Sequence, residues 1–135
     1  MTAVSALQPA RAVAANSDIQ SLTARAKAGD VSAQSDLGLM YATGKGGPQN
    51  DTEAVKWYRL AASQGDVDAQ YFLGSMYDEG RGVPQNYVEA AKWYRLAAER
   101  GDASAQYSLG ALYEVGDGVP QSDIESVKWY RLSAQ

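Results

Sequence analysis

The hexapeptide KWYRLA occupies Lys56–Ala61, recurs unchanged at Lys92–Ala97, and returns as KWYRLS at Lys128–Ser133. Each copy begins 36 residues after the previous one. Internal identity at a fixed period of about 20 to 50 residues is typical of solenoids and other repeat arrays. The sequence therefore indicates a repeat protein.

The identity extends from the hexapeptide to a whole unit. The second unit reads VDAQYFLGSMYDEGRGVPQNYVEAAKWYRLAAERGD, and the alignment gives three repeats, over residues 31–66, 67–102 and 103–135, the last one truncated. Residues 18–30 match only the second half of a unit, with Ser21 in the place of the tryptophan. We therefore expect a single solenoid domain over residues 18–135 that begins with a capping half-repeat.

The first half of each unit has the pattern of an amphipathic helix, here named helix A. In the second unit its apolar stripe begins at Ala69 and continues at i+4, i+7 and i+8. Asp66 stands in front as an N-cap and Gly80 follows as a stop signal.

The second half predicts another helix, named helix B. Its stripe starts at Ala90 and continues at i+3, i+4, i+7 and i+8, and it includes Trp93. Asn86 with Glu89 three residues later has the form of a capping box, and Gly101 marks the end. Because the repeated tryptophans lie on this stripe, we assign them to the core rather than to an exposed aromatic platform.

Short glycine and proline loops such as GRGVPQ join the two helices of each unit, and short loops favour antiparallel packing. One such hairpin cannot bury its apolar face alone, so consecutive hairpins must stack. The predicted fold class is all-α: a right-handed α/α superhelix, or solenoid, of antiparallel helical hairpins with a 36-residue period and about seven helices.

Composition excludes several functions. The chain has no cysteine and no histidine, which removes disulfides, thiol nucleophiles, thiolate or imidazole metal sites and catalytic triads. With 16 acidic and 12 basic residues it has no basic field for nucleic acid. We expect no catalytic residue, no metal, no cofactor, no nucleic acid partner and no membrane span.

The repeat resembles the Sel-one-like repeat family, which is related to the tetratricopeptide repeat. Thirteen positions of the second unit carry the resemblance, and they have equivalents in the other two units: Ala69, Leu73, Gly74, Tyr77, Gly80, Gly82, Val83, Ala90, Trp93, Tyr94, Ala97, Ala98 and Gly101. The departures include Gly47 where the other units have valine, and Ser126 where they have alanine.

The resemblance implies a non-catalytic bacterial scaffold or adaptor that binds a protein or peptide partner. Two alternatives stay open: an immunity or inhibitor protein that occludes one toxin or enzyme, and a small-molecule binder or hydrolase of the β-lactam-binding type. Members linked to β-lactam binding carry paired cysteines, which this chain lacks.

One strip of helix A varies between units while the frame repeats, which is where a scaffold can encode specificity. At 100° per residue its positions share one side of each helix, and the resemblance implies that this side is concave. We predict partner binding there, with Phe72 as the main anchor. The A-helix strip comprises Asp36, Leu39, Thr43, Phe72, Ser75, Glu79, Ser108, Ala111 and Val115.

Three properties are left open by the sequence. Residues 1–17 are interpreted as a flexible tail or as the remnant of a targeting segment, since Ala12, Val13 and Ala14 have the small-x-small form of a cleavage site. The compartment is the second open property. The protein is expected to be soluble and to lie either in the cytoplasm or, if this segment is an export signal, in the periplasm or outside the cell. A homodimer through the terminal repeat is a further alternative, because an end repeat exposes apolar surface.

Overall fold

A computed structural model of the protein describes residues 18–135, and the predicted tail, residues 1–17, lies outside this range. Seven helices lie in the described part, with no strand there. The first, α1, covers residues 18–27. The others are α2 (Val31–Thr43), α3 (Asp51–Ser63), α4 (Val67–Glu79), α5 (Tyr87–Glu99), α6 (Ala103–Val115) and α7 (Asp123–Ser133). The all-helical prediction is confirmed, with α2, α4 and α6 as A helices and α3, α5 and α7 as B helices.

The A helices begin and end where the sequence predicts. The carboxylate of Asp66 accepts a hydrogen bond from the backbone N–H of Ala69 at 2.9 Å, and this satisfies one of the free donors at the start of α4. Gly80 ends the helix with φ of 68°, a left-handed conformation that glycine adopts without a Cβ penalty. The same pair of caps recurs in α2 and α6.

The B helices are capped differently from the prediction. The side chain of Asn86 does accept from the backbone N–H of Glu89, as an N-cap should. However, the backbone N–H of Asn86 donates to the carbonyl of Tyr77 at 2.9 Å, not to the Glu89 carboxylate. The second hydrogen bond of the predicted capping box, from the Asn86 N–H to the Glu89 side chain, is therefore wrong. The carbonyl of Tyr77 in the preceding A helix already accepts from this N–H.

Each A helix packs against the B helix that follows it, and a glycine permits the close approach. A Cβ on Gly74 would lie 2.7 Å from the ring carbon Cδ1 of Tyr94, closer than real contacts allow. Gly38 and Gly110 stand in the same relation to Tyr58 and Tyr130. The tyrosine of each B helix therefore lies flat against the backbone of its A helix.

The apolar stripes of both helices meet in a continuous core. Fully buried leucines, Leu37, Leu73 and Leu109, come from the A helices, and alanines of the B helices pack around them. The tryptophan of each B helix joins this core and retains at most 9% of its surface. The assignment of the tryptophans to the core is confirmed.

A buried glutamine links each repeat to the helix before it. Gln70 Nε2 of α4 donates to the carbonyl of Ala62 in α3 at 3.2 Å, and Gln34 and Gln106 make the equivalent bonds. Each of these carbonyls also accepts a bond from the backbone N–H three residues later, as Ala62 does from Gly65, so the glutamine adds a second hydrogen bond to it. The stacking of repeats is thus fixed by hydrogen bonds as well as by apolar contact.

The seven described helices are all too short and too polar to cross a lipid bilayer.

Candidate functional site

The A-helix strip lies on the surface of the stacked A helices. None of its nine residues is buried; five are exposed and four are half-buried. Helix α2 contacts α4 directly, whereas α3 and α5 make no comparable contact. The first two repeats are therefore closer together on the side of the A helices than on the side of the B helices, whereas α4 and α6 make no comparable contact.

A cavity of about 190 Å³ opens between α2 and α4. Its lining combines four residues of the strip with five that the sequence did not single out as binding residues: Leu39, Thr43, Phe72 and Ser75, and then Ala42, Tyr58, Tyr71, Met76 and Arg81. We refer to it as the A-helix cavity. The other five strip positions, Asp36, Glu79, Ser108, Ala111 and Val115, lie outside it.

Phe72 forms a wall of the cavity instead of projecting into solvent. The residue is half-buried, and its ring stacks on that of Tyr58 with 5.3 Å between centroids and 24° between planes. Beside it, the Ser75 hydroxyl donates to the Glu79 carboxylate at 2.8 Å. Phe72 therefore contributes to the packing between repeats as well as to the accessible surface.

Tyr58 is the most deeply buried residue of the lining. It retains 1% of its surface, and its hydroxyl has no hydrogen-bond partner among the described residues. Burial raises the pKa of this phenol well above its ordinary value, and the positive charge of Arg81 opposes the rise only in part. The hydroxyl is therefore neutral across the physiological range and available as a donor.

The equivalent tyrosines of the other repeats are paired. The Tyr94 hydroxyl donates to the carboxylate of Asp78 at 3.0 Å, and that of Tyr130 donates to Glu114 at 2.8 Å. Each of these two acids therefore accepts a hydrogen bond from the adjacent B helix. The position corresponding to them in the first repeat is Ala42.

Arg81 supplies positive charge at the same cavity. Its guanidinium reaches from the second repeat to the first, where Nη2 donates to the Asp51 carboxylate and to the carbonyl of Ala42, both at 2.8 Å. The hydrogen bond to Asp51 raises the pKa of Arg81 further, so the group stays charged. In the described residues its Nη1 donates to no protein group.

Sequence reasoning missed Tyr58 and Arg81 for different reasons. Tyr58 is identical in all three repeats and was assigned to the core with the rest of the stripe. Arg81 lies in a loop, outside either helical pattern. One signal in the sequence could have indicated the site. The first repeat has Ala42 at the position where the other two have an acid, Asp78 and Glu114.

A second accessible apolar surface lies on the last helix. Ile124 and Val127 of α7 are 82% and 45% exposed, on a face bordered by Lys128 and Arg131. In the inner repeats the positions equivalent to Val127 are buried, at Val55 and Ala91, whereas those equivalent to Ile124 are exposed, at Thr52 and Val88.

Comparison with known proteins identifies the repeat. A family model of the Sel1 repeat matches residues 31–66, 67–102 and 103–135. The chain has no significant match among curated proteins.

Solved structures with the same fold include three bacterial proteins. The c5321 protective antigen of uropathogenic Escherichia coli, which displays an SLR fold, superposes with a TM-score of 0.82 at 43% identity, over 86% of this chain and 25% of that one. A Sel1 repeat protein from Oxalobacter formigenes gives a TM-score of 0.75 at 41% identity, over 78% and 43% of the two chains. Cysteine rich protein B of Helicobacter pylori gives a TM-score of 0.68 at 22% identity, over 87% of this chain and 86% of that one. At this identity the likeness is one of fold alone. The chain thus spans a quarter of the first relative and less than half of the second.

Proposed function

Because the chain belongs to the Sel1 repeat family, whose fold generally serves as a protein–protein interaction scaffold, we propose that it is a non-catalytic adaptor that binds a protein or peptide partner on the concave face formed by its A helices. The observation that carries this proposal is the A-helix cavity, where four of the nine predicted binding positions surround one opening between two repeats.

The contact between the first two repeats supports the A-helix side as the concave one. Repeats that approach more closely on one side than on the other curve towards the closer side, and here α2 contacts α4 whereas α3 and α5 make no comparable contact. Concave surfaces of stacked repeats are extended and suit a helix or an extended segment of a partner.

The chemistry of the strip suits binding. Leu39 is 42% exposed and Val115 is 64% exposed, so apolar surface alternates along the face with the polar side chains of Asp36, Thr43 and Glu79. An interface with apolar contacts and a polar surround is the usual arrangement for recognition between proteins. The lack of cysteine and histidine agrees with a function that requires no thiol nucleophile and no imidazole base.

The experiment is affinity capture from an extract of the native host, followed by a binding measurement on each captured protein. Thr43→Arg places a long cationic side chain at the cavity, whereas Thr52→Arg makes the same change at an exposed position of α3. We expect Thr43→Arg to lose the partner and Thr52→Arg to keep it, with both variants retaining the wild-type circular dichroism spectrum. Equal binding by both variants, or loss only with Thr52→Arg, would place the binding face elsewhere.

A further inference from the structure

The first repeat differs from the others at the two positions that surround its B-helix tyrosine. In the second repeat, Tyr71 tilts against the ring of Tyr94 with 5.7 Å between centroids, while Asp78 accepts the hydroxyl proton. The third repeat has the same arrangement, with Tyr107 and Glu114 around Tyr130. The first repeat has Ser35 and Ala42 at these positions, so Tyr58 lacks both neighbours.

The second repeat replaces only one of the two missing neighbours. Phe72 stacks on the ring of Tyr58 and restores the aromatic contact. No carboxylate of the described residues reaches the hydroxyl, which remains unpaired and buried. A buried hydroxyl without a hydrogen-bond partner destabilises the free protein. Tyr58 and Ala42 both line the A-helix cavity, so the unfilled acid position adjoins this opening.

Arg81 adds a cation at this junction. The corresponding loop residue is Asp117 in the third repeat and Lys45 in the first, but the half-repeat before the first repeat has Leu22 in place of the tyrosine. In residues 18–135 a loop cation and a tyrosine without its acid therefore occur together only between the first and second repeats. Asp51 neutralises part of the charge, but Nη1 stays free to donate. Glu79, two residues before Arg81, already accepts a hydrogen bond from Ser75 and does not line the cavity.

We propose that the A-helix cavity binds the side-chain carboxylate of an aspartate or glutamate in the partner polypeptide. This acid takes the place next to Tyr58 that Asp78 and Glu114 occupy in the other repeats, and it accepts hydrogen bonds from the Tyr58 hydroxyl and the Arg81 guanidinium. The inference rests on the proposed function and adds to it the chemistry of the partner.

Size and charge agree with a single acidic side chain. A volume of about 190 Å³ equals that of about six water molecules, enough for one side chain and too little for a folded segment. Leu39, Phe72 and Met76 would contact its methylene groups. Residues 1–17 contain no aspartate or glutamate, so that segment of the chain does not provide the acid.

The test is a selection from a phage-displayed library of random linear peptides, followed by affinity measurements with synthetic peptides. For each selected peptide, every acidic residue is replaced in turn by its amide. Three variants are compared with the wild type. Tyr58→Phe removes the hydroxyl donor, and Ala42→Asp places a carboxylate of the chain itself beside Tyr58. Ala24→Asp is the control, because it adds the same charge at an exposed position of α1.

We expect selected peptides to share one acidic residue whose amide form binds the wild type about tenfold more weakly or worse, as for a buried hydrogen bond to a charged group. Tyr58→Phe and Ala42→Asp should weaken binding of the acidic peptide to a similar extent and reduce its advantage over the amide. Ala24→Asp should bind as the wild type does.

Several results would contradict the proposal. If the selected peptides need no acidic residue, the carboxylate site is wrong and the proposed peptide-binding function stands. The same conclusion follows if Ala42→Asp still binds the acidic peptide more tightly than its amide. If the wild type enriches no peptide, both are contradicted. If the wild-type protein self-associates in sedimentation experiments and Ala42→Asp abolishes this, the acid comes from a second copy of the chain and not from a separate partner.

Discussion

Replacing Tyr58 by phenylalanine should stabilise the free protein. The hydroxyl is buried and unpaired, and such a group costs about 1 to 3 kcal/mol, which the substitution removes without disturbing the ring. The same substitution at Tyr94 should have the opposite effect, because it removes a bond to the Asp78 carboxylate worth about 1.5 to 3 kcal/mol. The two variants should therefore differ in the free energy of unfolding by at least about 2 kcal/mol.

Urea denaturation measures this difference. Circular dichroism reports the helices, and fluorescence reports the three tryptophans, all buried in the core. The two probes should give the same midpoint if the repeats unfold together. Tyr130→Phe serves as a third comparison and should lower the free energy of unfolding by about 0.5 to 1.5 kcal/mol, because its bond to Glu114 is exposed to water.

The reasoning is refuted if Tyr58→Phe lowers the free energy of unfolding as Tyr94→Phe does. That result would mean that the Tyr58 hydroxyl has a partner in the free protein, such as a bound water. The acid position of the first repeat would then be satisfied, and the cavity would have no unpaired donor to offer.

Three further predictions follow from the core, the repeat contacts and the tyrosines. Trp93→Ala should lower the free energy of unfolding by about 3 to 5 kcal/mol, since the residue is 91% buried and leaves a cavity; an unchanged melting temperature would contradict its place in the core. Gln70→Leu keeps the volume but removes the glutamine bond to the Ala62 carbonyl, which keeps its bond from the Gly65 N–H, so urea titration should show a loss of about 0.5 to 1.5 kcal/mol; no loss would mean that the glutamine bond does not stabilise the stacking of repeats. Burial raises the pKa of Tyr94, and burial with the Glu114 bond raises that of Tyr130 to about 12. In the unfolded chain the tyrosines lose their protons at a lower pH than in the folded protein. Their contribution to the free energy of unfolding should therefore be fully present below pH 10 and decrease as the pH rises towards 12, as followed by tyrosinate absorbance and circular dichroism. Ionisation of all tyrosines near pH 10 in the folded protein would contradict the shifts.

Features determined by nearby residues could be predicted from the sequence. Asp66 and Gly80 act on the helix next to them, so their type and position suffice to place its ends. The helices, the hairpins and the burial of the tryptophans were predicted from the repeat period and from the spacing of apolar residues within each unit. The bond from Asn86 to Tyr77 could not be predicted, because it joins two helices across a loop and replaces a local motif that the sequence does contain.

The candidate site could be predicted only in part, for a related physical reason. Leu39, Thr43, Phe72 and Ser75 were found because a variable strip of helix A follows from helical geometry. The role of Tyr58 depends on which residues other helices place around it, and an identical tyrosine has different partners in each repeat. Phe72 was expected to be an exposed anchor, but the absence of an aromatic residue at Ser35 leaves room for it to stack on Tyr58.

The buried glutamine has a consequence for how a gene of this kind can change in length. Each glutamine bonds a carbonyl that lies eight residues earlier in the chain, as Gln70 does with Ala62. When recombination adds or removes 36 codons, the join restores the same eight-residue relation wherever the breakpoints fall. Insertions of any other length between the two partners would separate the glutamine from its carbonyl. Unequal crossing-over can therefore lengthen or shorten the array by whole units while every junction stays hydrogen-bonded.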